Sequence, residues 1–292
     1  MRRLKDVMRD PAAKAAVRLA LDEDLGTPWC DATSEALVDP KAVATGEIYS
    51  KGAGCVVSGA TVAAAVLKAV DPKIRVKILK PDGSIVKPKE PILTFRGKAR
   101  SILAAERTAL NFMQRMSATA TLAKKFVDAT KRYGTLILDT RKTTPGLRVF
   151  QKYAVTCGGG TNHRFGMYDR VLMKDNHRRL WRGGNPDELD QAVVAARKRF
   201  PKLAVEVEVE SLRECASALK ARPEWIMLDN MSCADMKKCV KMCRGKTMTE
   251  ASGGITLDQA KAVAATGVTA ISLGCLTHSA GSVDLSLEWK VR

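Results

Sequence analysis

Apolar and polar positions change their period along the chain, and the changes outline its elements. Residues 10–25 read as a helix, while residues 44–59 (ATGEIYSKGAGCVVSG) alternate as strands do and carry glycine turns. ATVAAAVLKAV (60–70) predicts a second helix, RVKILK (75–80) a strand, PDGS (81–84) a turn and IVKPKEPILTFRG (85–97) a strand-rich stretch. A long helix is predicted from about Ala99 to Met116. From about residue 117 the pattern becomes regular. Short apolar runs recur: TLILDTR (135–141), RVLMKDN (170–176), AVEVEVE (204–210), WIMLDN (225–230), TMTEASGG (247–254) and AISLG (270–274). Amphipathic stretches such as 187–200 and 257–267 separate most of them. Strand and helix in steady alternation predict a parallel sheet, closed or nearly closed as a barrel.

Each run ends on a polar residue or a glycine: Asp139, Lys174, Glu208, Asp229, Glu250 and Gly274. Residues at the C-terminal ends of barrel strands converge on one mouth, where active sites sit. A single such acid would read as a helix cap or a surface ion-pair partner. Six in register favour one shared site.

Composition narrows the class of ligand. The 292 residues suffice for a large domain with a smaller partner, and 46% hydrophobic with 27% charged residues suits a globular core. No apolar stretch approaches the roughly 18 residues that span a bilayer, and the charged start lacks the apolar core of a signal peptide. A cytoplasmic protein with no membrane role is expected. The eight cysteines form no CxxC pair and read as reduced, mostly buried thiols. Cys233, Cys239 and Cys243 have helical spacing and no histidine nearby, which disfavours zinc. A formal net charge of +18 attracts polyanions, yet the cations are interleaved with acids and only 5% of residues are aromatic. No nucleic-acid signature is present, so small polyanionic substrates fit better than nucleic acid.

Three segments concentrate the chemistry. DTRKTTPGLR (139–148) sets Arg141, Lys142 and Arg148 after a strand end, and arginine's planar fork suits carboxylate or phosphate. GGGTNHRFGMYDRVLMKDNH (158–177) brings glycines, His163, Arg164 and Lys174 together, with His177 reading as a helix-capping or hydrogen-bonding residue. TEASGGI (249–255) and SLGCLTHS (272–279) hold glycine turns at the last two strands, where barrels often bind phosphate. Carboxylates in an anion-binding pocket need a reason. A Mg²⁺ on pyrophosphate oxygens, or positive charge developing on a sugar, supplies one.

The strings EDLG (23–26), ERTALNFMQRMS (106–117), DTRKTTPGLR, GGGTNHRFG, KDNH, VEVEVES, LDN, EASGGI and LGCLTHSAG resemble the quinolinate phosphoribosyltransferases, in order, over nearly the whole chain. The resemblance implies an α/β chain: an N-terminal α/β sandwich domain over 1–116 and an open, TIM-like α/β barrel over 117–275. The tail 276–292 is expected to pack back on the first domain. It also implies a homodimer or higher oligomer and a reaction of quinolinate with phosphoribosyl pyrophosphate and Mg²⁺. The products are nicotinate mononucleotide, pyrophosphate and CO₂, a step of de novo NAD synthesis. Carried over residue by residue, Arg141, His163, Arg164 and Lys174 bind the quinolinate carboxylates, with Arg107 added from the partner subunit. Lys142 reaches the phosphoribosyl pyrophosphate. Glu208 and Asp229 face the ribose and, through the substrate, the Mg²⁺; with Lys174 they are the expected catalytic residues. Ser252, Gly253, Gly254 and Gly274 take the 5′-phosphate, Ser272 joins the substrate-binding set, and His278 lines the same end. Two departures from the family pattern, MSATAT after Arg115 and Cys275 in LGCLTHS, leave the charged residues intact. The rival readings are a same-scaffold paralogue acting on another substrate, such as the homologue associated with molybdenum transport, and a nucleic-acid-binding protein.

Overall fold

A computed structural model of the chain describes residues 7–181, 185 and 188–290. In chain order the elements are α1 (Pro11–Leu25), α2 (Ala32–Leu37), β1 (Val43–Ser50), β2 (Cys55–Val56), α3 (Ala60–Val70), β3 (Arg75–Ile78), β4 (Ile85–Val86), β5 (Pro91–Lys98) and α4 (Ala99–Thr130). Then follow β6 (Leu136–Leu138), α5 (Arg148–Cys157), β7 (Val171–Met173), α6 (Asp175–Leu180), α7 (Leu189–Arg199), β8 (Val205–Val209), α8 (Leu212–Leu219), β9 (Trp225–Asp229) and α9 (Cys233–Cys243). The chain ends with β10 (Met248–Ser252), α10 (Leu257–Ala264), β11 (Ala270–Ser272), α11 (Cys275–His278) and β12 (Leu285–Lys290). The expected start of the 187–200 helix at Asp187 lies outside the described residues.

By internal contacts the chain divides into two units. Of the described residues, one comprises 7–124, 142–159 and 275–290; the other comprises those within 125–141 and 160–274. In the first, an antiparallel sheet runs β12-β1-β5-β3, with the C-terminal strand paired along β1 from Thr45↔Lys290 to Ser50↔Leu285. No strand was expected in that tail. Its alternation, Leu285, Leu287 and Trp289, covers only six residues, and it becomes a strand by pairing with β1.

The long helix runs to Thr130 where the sequence predicted an end near Met116. The Ser/Thr run after Met116 looks like a break, because such side chains compete for backbone partners. Here those partners keep the helix whole: Ser117 Oγ donates to the Ser58 carbonyl at 3.0 Å, and Thr121 Oγ1 donates to the Ser117 carbonyl at 2.7 Å. Ala120, Ala123 and Phe126, at helical spacing, are buried.

The second unit carries the parallel sheet, with order β6-β11-β10-β9-β8-β7. Among the described residues no pairing closes β6 onto β7, so the barrel is open, as expected. Past β6, Thr161 adds a parallel bridge to Leu138.

Register decides which side chains share the barrel interior. Glu206 pairs with Trp225 and Glu208 with Met227; Met227 pairs with Glu250, Asp229 with Ser252, and Ala270 with Glu250. Residues in register on parallel strands point the same way, and alternate residues of one strand share a face. Glu206, Glu208, Trp225, Met227, Asp229, Glu250, Ser252 and Ser272 therefore share one face with Leu138 and Leu172. The valines between the β8 acids point the other way and are fully buried.

Candidate active site

Two residues of strand rise about 6.6 Å, so this interior face has tiers. Its outer part lies at the strand ends, where Glu208, in register with Met227, stands one tier inside Asp229. Lys174 follows β7, and its Nζ stands 2.5 Å from Glu208 Oε2 near the end of β8. The lysine side chain is 46% exposed and the glutamate 7%, so this ion pair opens to solvent on one side only. Asp229 ends β9, and its Oδ2 accepts the Asn230 side-chain amide at 2.7 Å. Ser252 ends β10 in register with Asp229. Beyond it Gly253 and Gly254 both take the left-handed region, at φ 107° and 58°. A Cβ on Gly253 would fall 2.2 Å from Asn230 Oδ1, whereas one on Gly254 would meet nothing within 4 Å. The turn thus needs glycine at Gly253 for packing and leaves Gly254 open to a ligand.

His177, expected as a capping or hydrogen-bonding residue, accepts the Lys174 amide on Nδ1 at 3.0 Å and ties the start of α6. Ser272 is buried, its Oγ 3.5 Å from the Ala251 carbonyl, and Gly274 closes the unit's last strand end.

Asp139 does not stand in the mouth as a ligand. It is fully buried and anchors the next loop, taking the Asn162 side-chain amide at 2.6 Å and the His163 backbone amide at 2.9 Å. That anchor places Arg164 beside Arg141. Burial, and next the charge of Arg141, hold the Arg164 guanidinium below its usual pKa. Two arginines within electrostatic reach of each other offer charge of the kind that suits an anion.

Glu250 was read as a strand-end residue of the shared mouth, and the structure corrects this. Its register partner is Met227, one tier below Asp229, and it is fully buried. There it meets His163, whose Nε2 lies 3.2 Å from Glu206 Oε2 and 3.4 Å from Glu250 Oε2. Arg170 adds its Nη1 at 2.9 Å from Glu206 Oε2, with its guanidinium 5.3 Å over the Trp225 ring. Burial opposes charge on the imidazole, but Glu206 and Glu250 outweigh it and raise its pKa to about 9. The Arg164 amide, which donates to Nδ1 at 2.7 Å, acts in the opposite direction, since a second ring proton would displace it. Burial would push Glu206 up; His163 and Arg170 bring it below the usual carboxylate value. Glu250 is raised, by burial and then by the charge of Glu206. The two acids are thus driven apart, one ionised and one toward its acid form. Sequence reasoning passed over Glu206 and Arg170. The signal was available in VEVEV, where Glu206 shares the face of Glu208.

Lys142, His278 and Arg107 belong to the other unit. Lys142 is exposed, and its carbonyl accepts Thr277 Oγ1 at 2.7 Å; His278 is exposed on the short helix α11. Arg107 is exposed on α4, while Ile102, Leu110 and Met113 of that helix are buried. Cys215 and Cys243 bring their sulfurs to 3.8 Å in the packing of α8 on α9. Among the described residues the set whose ligand atoms gather within 4.8 Å is His163, Glu206 and Glu250.

Comparison with known proteins agrees with this geometry. Residues 31–117 match the model of the quinolinate phosphoribosyl transferase N-terminal domain, and residues 119–288 that of its C-terminal domain. The chain belongs to this family. It is 40% identical over 282 residues to the carboxylating nicotinate-nucleotide pyrophosphorylase of Mycobacterium leprae, covering 95% of this chain and 97% of the relative. To the chloroplastic enzyme of that name from Oryza sativa it is 39% identical over 290 residues, 94% of this chain and 77% of the relative. The solved nicotinate-nucleotide pyrophosphorylase of Francisella tularensis superposes with a TM-score of 0.90 at 37% identity, covering 99% and 98% of the two chains. The α/β architecture with an open barrel is therefore that of the quinolinate phosphoribosyltransferases. No helix among the described residues is long and apolar enough to cross a membrane.

Proposed function

We propose that this chain transfers the phosphoribosyl group of phosphoribosyl pyrophosphate to the ring nitrogen of quinolinate and releases CO₂, pyrophosphate and nicotinate mononucleotide, a step of NAD synthesis in the cytoplasm. The observation that carries this reading is the Lys174–Glu208 ion pair at the strand ends, with Asp229 ending the neighbouring strand. It sets a cation suited to a carboxylate against an acid suited to a sugar cation, and the nearby charges of Arg141 and Arg164 support the same reading.

Arg141, His163, Arg164 and Lys174 hold the two carboxylates and orient the ring nitrogen toward the anomeric carbon. Fixing two reactants in this way supplies a large part of the rate. Lys142 reaches the pyrophosphate, and Ser252, Gly253, Gly254, Ser272 and Gly274, with His278, receive the 5′-phosphate. Glu208 and Asp229 stabilise positive charge on the ribose as pyrophosphate departs. Their oxygens are the hard donors that Mg²⁺ takes, and would hold the ion through the substrate, where it neutralises pyrophosphate charge. Once the pyridine nitrogen is alkylated it becomes the electron sink for loss of the adjacent carboxylate. A second copy of the chain completes the site with Arg107 in a symmetric dimer.

The test is direct. Purified protein incubated with quinolinate, phosphoribosyl pyrophosphate and Mg²⁺ yields nicotinate mononucleotide and CO₂ in equal amounts. Pyrophosphate release without the nucleotide, or no turnover at all, refutes the assignment.

A further inference from the structure

Lys174 caps the N-terminus of α6, and its carbonyl accepts the backbone amides of His177 at 3.0 Å and Arg178 at 3.2 Å. Whatever holds this helix therefore holds the lysine. Six residues are too few for a helix to persist in water on its own, because so short a run does not repay its nucleus. Nor does burial anchor it: no residue of α6 is buried, and Leu180 is 80% exposed. An ion pair ties it to the neighbouring segment instead. Arg178 Nη1 donates to Glu214 Oε1 at 2.8 Å, with side-chain exposures of 13% and 25%. Glu214 is itself fixed at the start of α8: its Oε2 accepts the Glu210 amide at 2.7 Å, and its own amide donates to Ser211 Oγ at 3.2 Å. The segments after β7 and β8 are thus joined twice, at the strand ends by Lys174 and Glu208 and farther along by Arg178 and Glu214.

We infer that Arg178 and Glu214 form a latch that keeps Lys174 in place when a substrate carboxylate competes with Glu208 for its charge, and that both are positioning residues for the proposed reaction. The inference rests on the reading of Lys174 as a ligand of quinolinate. The need for a second tie follows from the exposure of the first. Lys174 Nζ lies 2.5 Å from Glu208 Oε2 with its side chain 46% exposed, so an arriving carboxylate can take up the ammonium from its open side. The bond to Glu208 is then shared, and it restrains the segment less. Arg178 does not face this competition: its guanidinium is mostly covered, and the carboxylate it meets is pinned by a backbone amide. Solvent and salt also screen this pair less than Asp175–Arg179 on the same helix, which is 3.8 Å apart with the arginine 77% exposed. The effect of losing the latch is set by populations. A Lys174 that stands ready only about a tenth of the time raises the apparent dissociation constant about tenfold.

Two measurements on the purified full chain decide it. In the first, Arg178→Ala raises the quinolinate KM about tenfold, while kcat and the phosphoribosyl pyrophosphate KM change less than about threefold. Arg178→Lys recovers most of the loss, and Arg179→Ala, which removes a neighbouring charge of the same sign, leaves the KM where it was. Glu214→Gln raises the KM at least about threefold, and the Arg178→Ala/Glu214→Gln double variant is no worse than Arg178→Ala alone. An unchanged KM in Arg178→Ala overturns the latch. Losses that multiply in the double variant overturn it too, because Arg178 then acts without Glu214. The second measurement is amide hydrogen exchange read by mass spectrometry, which needs no turnover. Arg178→Ala speeds exchange across residues 175–181 about tenfold and leaves residues 225–229 of β9 as they were. Equal exchange in variant and native protein overturns the latch, as does faster exchange in both segments, the mark of a general stabiliser. If Lys174→Ala binds quinolinate as tightly as the native protein, the reading of Lys174 fails instead. Exchange then judges the tie by itself: it stands on a change confined to 175–181 and falls on none.

Discussion

Replacing Glu208 with glutamine separates two jobs that its position could serve. Its Oε2 lies 2.5 Å from Lys174 Nζ, so it could act by holding the lysine or by presenting negative charge to the substrate. The lysine side chain is 46% exposed, so water takes over much of its solvation when the carboxylate goes, and such a partly exposed pair is worth at most about 1 kcal/mol. Folding stability should therefore fall by no more than that. Quinolinate binding should hold or tighten, because Lys174 no longer shares its charge. Loss of a preset charge aimed at the transition state is another matter, and costs about 10²- to 10³-fold in kcat, or about 2.7–4 kcal/mol. The assay is steady-state formation of nicotinate mononucleotide at saturating phosphoribosyl pyrophosphate and Mg²⁺, with a thermal melt of the same preparation. A kcat within about threefold of wild type together with a tenfold higher quinolinate KM would refute the reasoning. Glu208 would then be a holder of Lys174 and nothing more.

Nicotinate, with one carboxylate, leaves part of the Arg141–Arg164–Lys174 set unpaired; at a few kcal/mol for such a defect it should turn over at least about 10²-fold less efficiently than quinolinate, and comparable kcat/KM values would contradict the pocket's assignment. Arg107→Ala and Lys174→Ala homodimers should each be nearly inactive, yet regain activity when mixed and allowed to exchange subunits; proven exchange with no recovery places Arg107 outside the neighbour's site. Thiol labelling at neutral pH should modify the exposed Cys30 first, whereas Cys157, whose thiol burial pushes up to about 11, should react slowly, and equal rates would argue against that burial.

The barrel was legible because its strands are bounded by strong signals. Runs such as WIMLDN and AVEVEVE are apolar, short and closed by polar residues, and all six became strands of one sheet. The elements that escaped depend on partners distant in sequence. The C-terminal strand exists through pairing with Val43–Ser50, and the last turns of the long helix exist because Ser58 meets Ser117. Neither partner can be inferred from local periodicity, since both contacts span more than fifty residues.

The candidate site was legible in identity and blurred in depth. Counting strand ends places Glu208, Asp229 and Glu250 together at 21-residue spacing, as if each stood at the same height. Parallel pairing shows otherwise: Glu208 and Glu250 both face Met227 while Ser252 faces Asp229, so β9 carries its acid one tier above the other two. Burial then separates the two that share a tier: Glu208 meets the half-exposed Lys174, whereas Glu250 is fully buried against His163. The consequence is chemical. A fully buried acid is driven toward its acid form and must find a partner within the protein. Glu250 finds His163, and Glu206 finds both His163 and Arg170. A spacing of 21 residues therefore gives which acids enter the barrel, and only the side chains packed against each one, drawn from loops distant in sequence, decide how deeply it is buried.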